Sequence, residues 1–471
     1  MLKKGIILSL LFIGLVHYVF SDQNALDQYI ALGLQNNLAL QQQEFQFEKS
    51  MEALKEARGM FLPSIHLMGR FSRAGGGRVF EIPVGDLINP INTAFNQLYG
   101  FHGIDAGLPT SIPNISTPFF LEQEQETKLR LIQPLFHPAL IDNYKLRSNL
   151  SKIEGDQISV YKRHLVMDIK SAYYNYLKIL RVLEILDETR VLLEENLKIS
   201  QNLVKNGKET ENVVFRAQAD IALLEQEVAE VEKNRIVAAK YFNFMLNREL
   251  DAPIEADYDH LLPLPEIVNF EDAIKQAFDH REEFRQITFA IDAASNQVGL
   301  ATSNYLPAIT AVFDYGFWGE DYRFGKDDDF WMASFVLEWS LFTGGQNKAK
   351  KAQAQLDKKR LEVQKEELEK QILLEVQEEY EALKASRLSI DAALKQEESA
   401  KSNFDIVSKK YEHGMTPQIV YLDAQNVFIQ AAINKTITYA QFLIQYARFE
   451  RATALFNLEQ SNNNSGNIHS E

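Results

Sequence analysis

Two hydrophobic periods organise the chain, and each occurs twice. In the first, apolar side chains recur every seven residues. One half carries Ile169, Tyr176, Leu183, Leu197 and Val204, the other Val376, Leu383, Ile390, Phe404 and Tyr411. Both series skip the same step, at Arg190 and Glu397. A straight amphipathic helix drifts off such a line over several heptads, so the pattern predicts coiled-coil packing. From Ala139 or Gly345 to the Gly207 or Gly414 turn, each series allows a helix of about 66 residues, hence ~100 Å at 1.5 Å per residue. Lys205-Asn206-Gly207 and Glu412-His413-Gly414 each supply a glycine for a left-handed helix stop, and Thr416-Pro417 adds an N-cap and a first-turn proline. Returning helices are expected over Glu211–Leu246 and Gln418–Leu458. Each half is therefore a long helical hairpin, with tips at 205–210 and 412–417. Shorter helical patterns, Ala25–Met60 and Phe270–Asn304, open the two halves and end ahead of Pro63 and Pro307.

The second period is two. In Trp331–Leu341, Trp331, Ala333, Phe335, Leu337, Trp339 and Leu341 alternate with Met332, Ser334, Val336, Glu338 and Ser340. Ile309, Ala311, Phe313, Tyr315 and Phe317 likewise oppose Thr310, Asp314 and Gly316. In the first half Ile65, Leu67 and Phe71 oppose His66, Arg70 and Ser72, and Leu129, Leu131 and Leu135 oppose Lys128 and Arg130. Strand pairs are expected at about 61–76 with 127–136 and at about 308–318 with 330–342. Segments of about ten residues, apolar on one face and polar on the other, suit transmembrane β-strands, although any single one also fits a half-buried soluble hairpin. Hydrocarbon tolerates only closed barrels, and four strands are too few to close one. Membrane strands would therefore come from several chains.

The halves are copies. Ala25–Pro63 and Asn269–Pro307 align without a gap at an offset of 244, which falls to 206 at Leu135-Phe136 against Leu341-Phe342 and settles at 207. The difference is an insertion in the first copy between Pro63 and Phe136. The resulting domains are a signal peptide (1–21), a first repeat (22–250), a proline-bearing linker (251–268), a second repeat (269–460) and a polar tail (461–471). The signal reading rests on Lys3 and Lys4, the apolar run Ile6–Phe20 and a small residue at Ser21.

Composition adds exclusions. The 471 residues carry a net charge of −16 and no cysteine, which rules out disulfides, thiolate metal sites and thiol catalysis. An acidic chain lacks the basic face that nucleic acid demands. Mean hydropathy is −0.24, and no internal apolar run is long enough for a membrane helix. Nine histidines show no paired ligand spacing, Gly75-Gly76-Gly77 is not followed by a phosphate-loop lysine, and Asp327-Asp328-Asp329 reads as a solvated loop. No enzyme, cofactor or metal centre is expected.

In order and duplication, the landmarks Ala25–Leu38, Tyr305-Leu-Pro307, Ser340-Leu-Phe-Thr-Gly-Gly345 and Tyr411–Gln425 resemble the TolC-like outer-membrane efflux protein family. The resemblance implies an α+β membrane protein. Long α-helical hairpins form a coiled-coil-like α-barrel, and four strands per chain complete a 12-stranded β-barrel in a homotrimer. It implies the cell outer membrane as location, with a long periplasmic extension, and passive export as function. It also implies two partners, a periplasmic adaptor (membrane fusion) protein and an inner-membrane pump of the RND, ABC or MFS class. Adaptor contact falls on the tips, at Asn206, Gly207, Lys208, His413, Gly414 and Met415. Tyr411 and Asp423 match gate and constriction residues of the family, whereas Val420, Thr416 and Val213 stand where the remaining polar lock would be. His137-Pro138-Ala139 departs from the Gly-Gly at Gly344-Gly345, and the lipidated N-terminal cysteine of many relatives is missing. A structural or adhesive coiled-coil spacer is the alternative. The cargo is not legible, since eight methionines and nine histidines give no metal-selective lining.

Overall fold

In a computed structural model the described residues are 25–256, 264–413 and 415–458. The signal segment, the polar tail, Gly414 and part of the linker lie outside them. The helices are α1 (Ala25–Asn36), α2 (Leu38–Gly59), α3 (Val84–Gly100), α4 (Pro138–Lys205), α5 (Asn212–Met245), α6 (Phe270–His280), α7 (Glu282–Ser303), α8 (Gln346–Glu412) and α9 (Gln418–Thr453). The strands are β1 (Ser64–Arg73), β2 (Val79–Ile82), β3 (Ile115–Pro118), β4 (Gln123–Phe136), β5 (Ala308–Gly319) and β6 (Asp329–Glu338). They fall into two units: a helical one (up to Leu54, Leu146–Ser295 and from Gln355) and one holding the strands (Lys55–Lys145 and Asn296–Ala354).

In the helical unit, α4 packs on α5 through Leu186, Leu193 and Leu224. On its other side α4 meets α9, where Gln418 Nε2 donates to Ser200 Oγ (3.0 Å) and Lys170 pairs with Glu450 (2.6 Å). α9 in turn meets α8, through Asn434 to Gln396 (3.1 Å) and Lys435 to Glu397 (2.8 Å). The helices thus lie side by side in the order α5, α4, α9, α8. In α8 the buried line runs through Val376, Leu383, Ile390, Phe404 and Tyr411 at the seven-residue step. Its skipped step, Glu397, is the ion-paired one. In α4 Ile169 and Tyr176 are buried as the pattern predicts, but beyond them the line departs: Leu183, Leu197 and Val204 are half-buried, and full burial falls on Leu186, Thr189, Leu193, Asn196 and Ser200. The reason is that α4 has neighbours on both sides, so its most covered line lies between the two seams.

Each opening helix is two helices. The breaks fall at Asn37 and Arg281, which are 244 apart and hence the same position of the repeat. Asn37 Oδ1 caps α2 by accepting from Ala39 and Leu40 N–H (3.0 Å each), and Nδ2 donates to the Met245 carbonyl (2.8 Å). Arg281 fills the equivalent break with a buried guanidinium paired to Glu283 (2.6 Å) and Glu375 (2.5 Å). Gly33 lets α1 approach α4: a Cβ there would meet Ile169 Cδ1 at 2.3 Å.

The strand unit holds an antiparallel sheet in the order β1-β4-β5-β6 and a separate β2-β3 ribbon. β4 begins at Gln123, four residues ahead of the expected start. β6 stops at Glu338, leaving Leu341 and Phe342 as exposed irregular chain, with Trp339 Nε1 tied to the Tyr305 carbonyl (3.1 Å). The insertion folds into β2, α3 and β3. Asn89, Asn92 and Asn96 line one side of α3 and bond a run of backbone that passes it in the opposite direction. Asn89 exchanges bonds with Ile112 (2.9 and 2.8 Å), Asn92 donates to Pro109 (2.7 Å), and Asn96 exchanges bonds with Leu108 (2.8 and 3.1 Å). The polar side of α3 therefore faces its own loop, and Leu87, Ile91 and Leu98 are exposed.

Candidate functional site

The sheet separates chemistry by face. On one side Ile65, Leu67, Leu129, Phe313, Tyr315, Trp331 and Phe335 are exposed apolar or aromatic side chains. The register places Arg70 opposite Glu126, Arg130 opposite Asp314 and Lys128 opposite Gly316, all on the other face. There charges run strand to strand. Arg70 reaches Glu124 (3.3 Å) and Glu126 (3.7 Å), Lys128 pairs with Glu126 and with Asp314 (3.6 Å), and Arg130 grips Asp314 by two bonds (2.8 and 2.7 Å). Asp314 is wholly covered, but by the Arg130 and Lys128 side chains themselves, on an otherwise open face. Gly316 makes room for this, because a Cβ there would lie 2.5 Å from Lys128 Cβ. β1 and β6 each have one unpaired edge among the described residues.

The hairpin ends close alike. Lys208 N–H donates to the Leu203 carbonyl (2.9 Å) and Met415 N–H to that of Lys410 (2.8 Å), the long bond of a Schellman motif. Gly207 has φ 69°. Asn206 donates to the Asn202 carbonyl (2.8 Å), and Asn206, Lys208, His413 and Met415 are exposed. Gly414 lies outside the described residues.

Above the second tip, Tyr411 is buried, with its ring stacked on Tyr421 (centroids 4.7 Å apart) and its hydroxyl bonded to Ser200. Burial raises the Tyr411 phenol above its ordinary range and pushes Tyr421 up to about 12. Ser200 thus joins α4, α8 and α9 at one point. Asp423 stands elsewhere, on the exposed side of α9 between Val420 and Val427, with no ion pair among the described residues. Val213 is buried and Thr416 half-buried. Tyr411 and Asp423 are not brought together within one chain.

Sequence reasoning did not find Ser200, Asn196 or Gln425. The last two are fully buried, and their side-chain amides have no partner among the described residues. Gln425 had a signal in its match to Gln218, but Gln218 is exposed, so the repeat does not carry the burial. Also unforeseen is a charged belt of Arg163–Glu282 (2.8 Å), Arg281–Glu375, Arg451–Glu375 and His164 beside Arg451 (3.3 Å). Among the described residues no group of three or more His, Asp or Glu is placed to hold a metal ion, and no helix is long and apolar enough to cross a membrane.

Residues 273–455 match the model of the outer membrane efflux protein family. Over those residues the chain is similar to that family. They take in most of α6 and all of α7, β5, β6, α8 and α9, and the first half repeats that element order around its insertion. No curated protein matches the chain by sequence. Among solved structures, the Campylobacter jejuni CmeC outer membrane channel is 17% identical with a TM-score of 0.75, covering 95% of this chain and 89% of CmeC. The outer membrane protein VceC from Vibrio cholerae is 14% identical with a TM-score of 0.72, covering 91% and 95%. The open state of the Neisseria gonorrhoeae MtrE outer membrane channel is 16% identical with a TM-score of 0.72, covering 91% and 88%. The chain has the fold of these channels over nearly its whole length, the first repeat included.

Proposed function

We propose that the chain is the outer-membrane duct of a tripartite efflux or type I secretion system. Three copies close twelve strands into one barrel in the outer membrane, and their helical hairpins line a periplasmic tunnel. The tips at 205–210 and 412–417 meet a periplasmic adaptor, and an inner-membrane pump supplies the energy. The duct carries out no chemistry of its own. A signal peptide at 1–21, repeats at 22–250 and 269–460, a linker at 251–268 and a tail at 461–471 complete the assignment. One observation carries the reading: a four-stranded sheet, apolar on one face and charged on the other, whose two edge strands lack partners. A free sheet edge cannot sit in hydrocarbon, and further copies of the same sheet satisfy both edges at once. Asp423, repeated by symmetry, forms a ring of carboxylates at the entrance, with Tyr411 holding α8 against α4 behind it.

The test is conductance of the purified full-length protein in a planar bilayer. Discrete, cation-preferring channels are expected, and Asp423→Asn weakens both the cation preference and block by Mg²⁺. Absence of channels would favour the spacer. Channels whose selectivity and block ignore Asp423→Asn would leave the duct standing and remove Asp423 from its constriction.

A further inference from the structure

Between α4, α8 and α9, in the helical unit, lies a cavity of about 280 Å³. Leu177, Leu394, Ala440 and Leu443 give it apolar walls, and Tyr439 also lines it. A coiled coil ordinarily fills such space with a knob, and a void forfeits packing. The rim is cationic, formed by Lys178, Arg181 and Lys435, with no carboxylate in the lining. Two of these cations have acids of their own: Arg181 reaches Glu184 (2.6 Å) and Lys435 reaches Glu397 (2.8 Å). Lys178 does not. It donates to the Asn175 side-chain oxygen (2.6 Å) and makes no ion pair among the described residues. Burial holds its ammonium below the ordinary lysine value.

Apolar walls and a half-buried ammonium that no carboxylate of the described residues pairs are complementary to one kind of ligand. We propose that the cavity binds an amphipathic organic anion, with its hydrocarbon body between Leu177 and Leu443 and its acid group on Lys178. The volume lies just below the range of about 300–1,000 Å³ usual for small-molecule sites, which suits a single medium-length chain or a one- to two-ring acid. Seven of the eight lining side chains named come from α4 or α9, the two inner helices. Any chain-to-chain contact of the helices made at the outer members, α5 and α8, leaves the cavity open. The inference does not depend on the transport reading. A bound ligand would also clamp the first hairpin to the second, since α4 belongs to one repeat and α9 to the other.

The full-length protein in a nonionic detergent, titrated with dodecanoate and read by native mass spectrometry, tests this. One saturable dodecanoate per chain is expected, with dodecyltrimethylammonium much weaker. Lys178→Met should weaken dodecanoate binding about tenfold or more, as loss of a charge-assisted bond implies, and leave weak dodecanol binding unchanged. Ala440→Trp should abolish dodecanoate binding. If that variant fails to fold, Leu394→Trp fills the cavity from its exposed rim and should give the same loss. A lysine kept only for structure behaves differently. On the proposal, Lys178→Met melts no lower than wild type without ligand but loses the rise in melting temperature that dodecanoate gives. Equal dodecanoate binding by wild type and Lys178→Met, equal binding of the cationic analogue, or no saturable binding would overturn the proposal.

Discussion

At the residue scale, the informative positions are polar groups that other polar groups cover. Asp314 depends on Arg130, because the two bonds from that guanidinium offset the loss of water around the carboxylate. Hydrogen bonds to charged groups contribute about 1.5–3 kcal/mol, so Arg130→Met should lower stability to chemical unfolding by about 2 kcal/mol, and Asp314→Asn by less. Ser200 is the corresponding point among the helices. Tyr411→Phe removes one bond there and leaves the stacking on Tyr421, for a cost of about 1 kcal/mol in the same measurement.

His164 supplies a pH dependence. Burial, then Arg451, lowers it from its ordinary 6.5, against Asp168 and Glu283, which raise it; Arg281 adds to the lowering. The unfolded chain takes up the proton near 6.5 and the folded chain only below that. Stability from this group is therefore complete above about 6.5 and is lost as pH falls beneath it. Asp168, raised by burial, acts with the opposite sign from its ordinary 3.8 upward. The difference between wild type and His164→Gln isolates the histidine: the drop in melting temperature from about pH 7.5 to about 5.5 should be smaller in the variant.

At the scale of elements, legibility followed repetition. The seven-residue line of α8 could be read because each step is a large apolar side chain, and its one exception, Glu397, has a matching lysine on α9. The line of α4 is legible at Ile169 and Tyr176 but not beyond, since Thr189, Asn196 and Ser200 are polar where the burial is deepest. Burial there is imposed by two neighbouring helices, and hydropathy does not register it. The breaks at Asn37 and Arg281 were hidden for a related reason: the helical period continues through them, and a cap and an arginine cluster look nothing alike in sequence. For the proposed gate, the resemblance points to Tyr411 and Asp423, but only the structure separates a buried phenol from an exposed carboxylate. α3 had no second copy to compare. Its asparagines, spaced three and four apart, look like a solvated face but bond the 108–112 backbone instead. Asn89→Ala with Asn96→Ala removes four such bonds, at about 1 kcal/mol each, and should speed proteolysis within 101–113 while leaving the β1-β4-β5-β6 sheet intact.

At the scale of the whole molecule, the account stands on an unfinished sheet. A chain without cysteine is well suited to asking what completes it. Met68 on β1 and Met332 on β6 lie on the polar face, since they pair in register with Lys128 and Asp314. Within one chain β4 and β5 stand between them, so three strand spacings, roughly 14 Å, separate the two positions. A bismaleimide shorter than that can join Met68→Cys to Met332→Cys only between chains. The decisive measurement is the denaturing-gel ladder of this double variant, cross-linked in outer membranes. The account predicts bands of one, two and three chains with nothing above three, and none of the higher bands in either single variant. A ladder that ends at two, one that runs past three, or no ladder at all would contradict it.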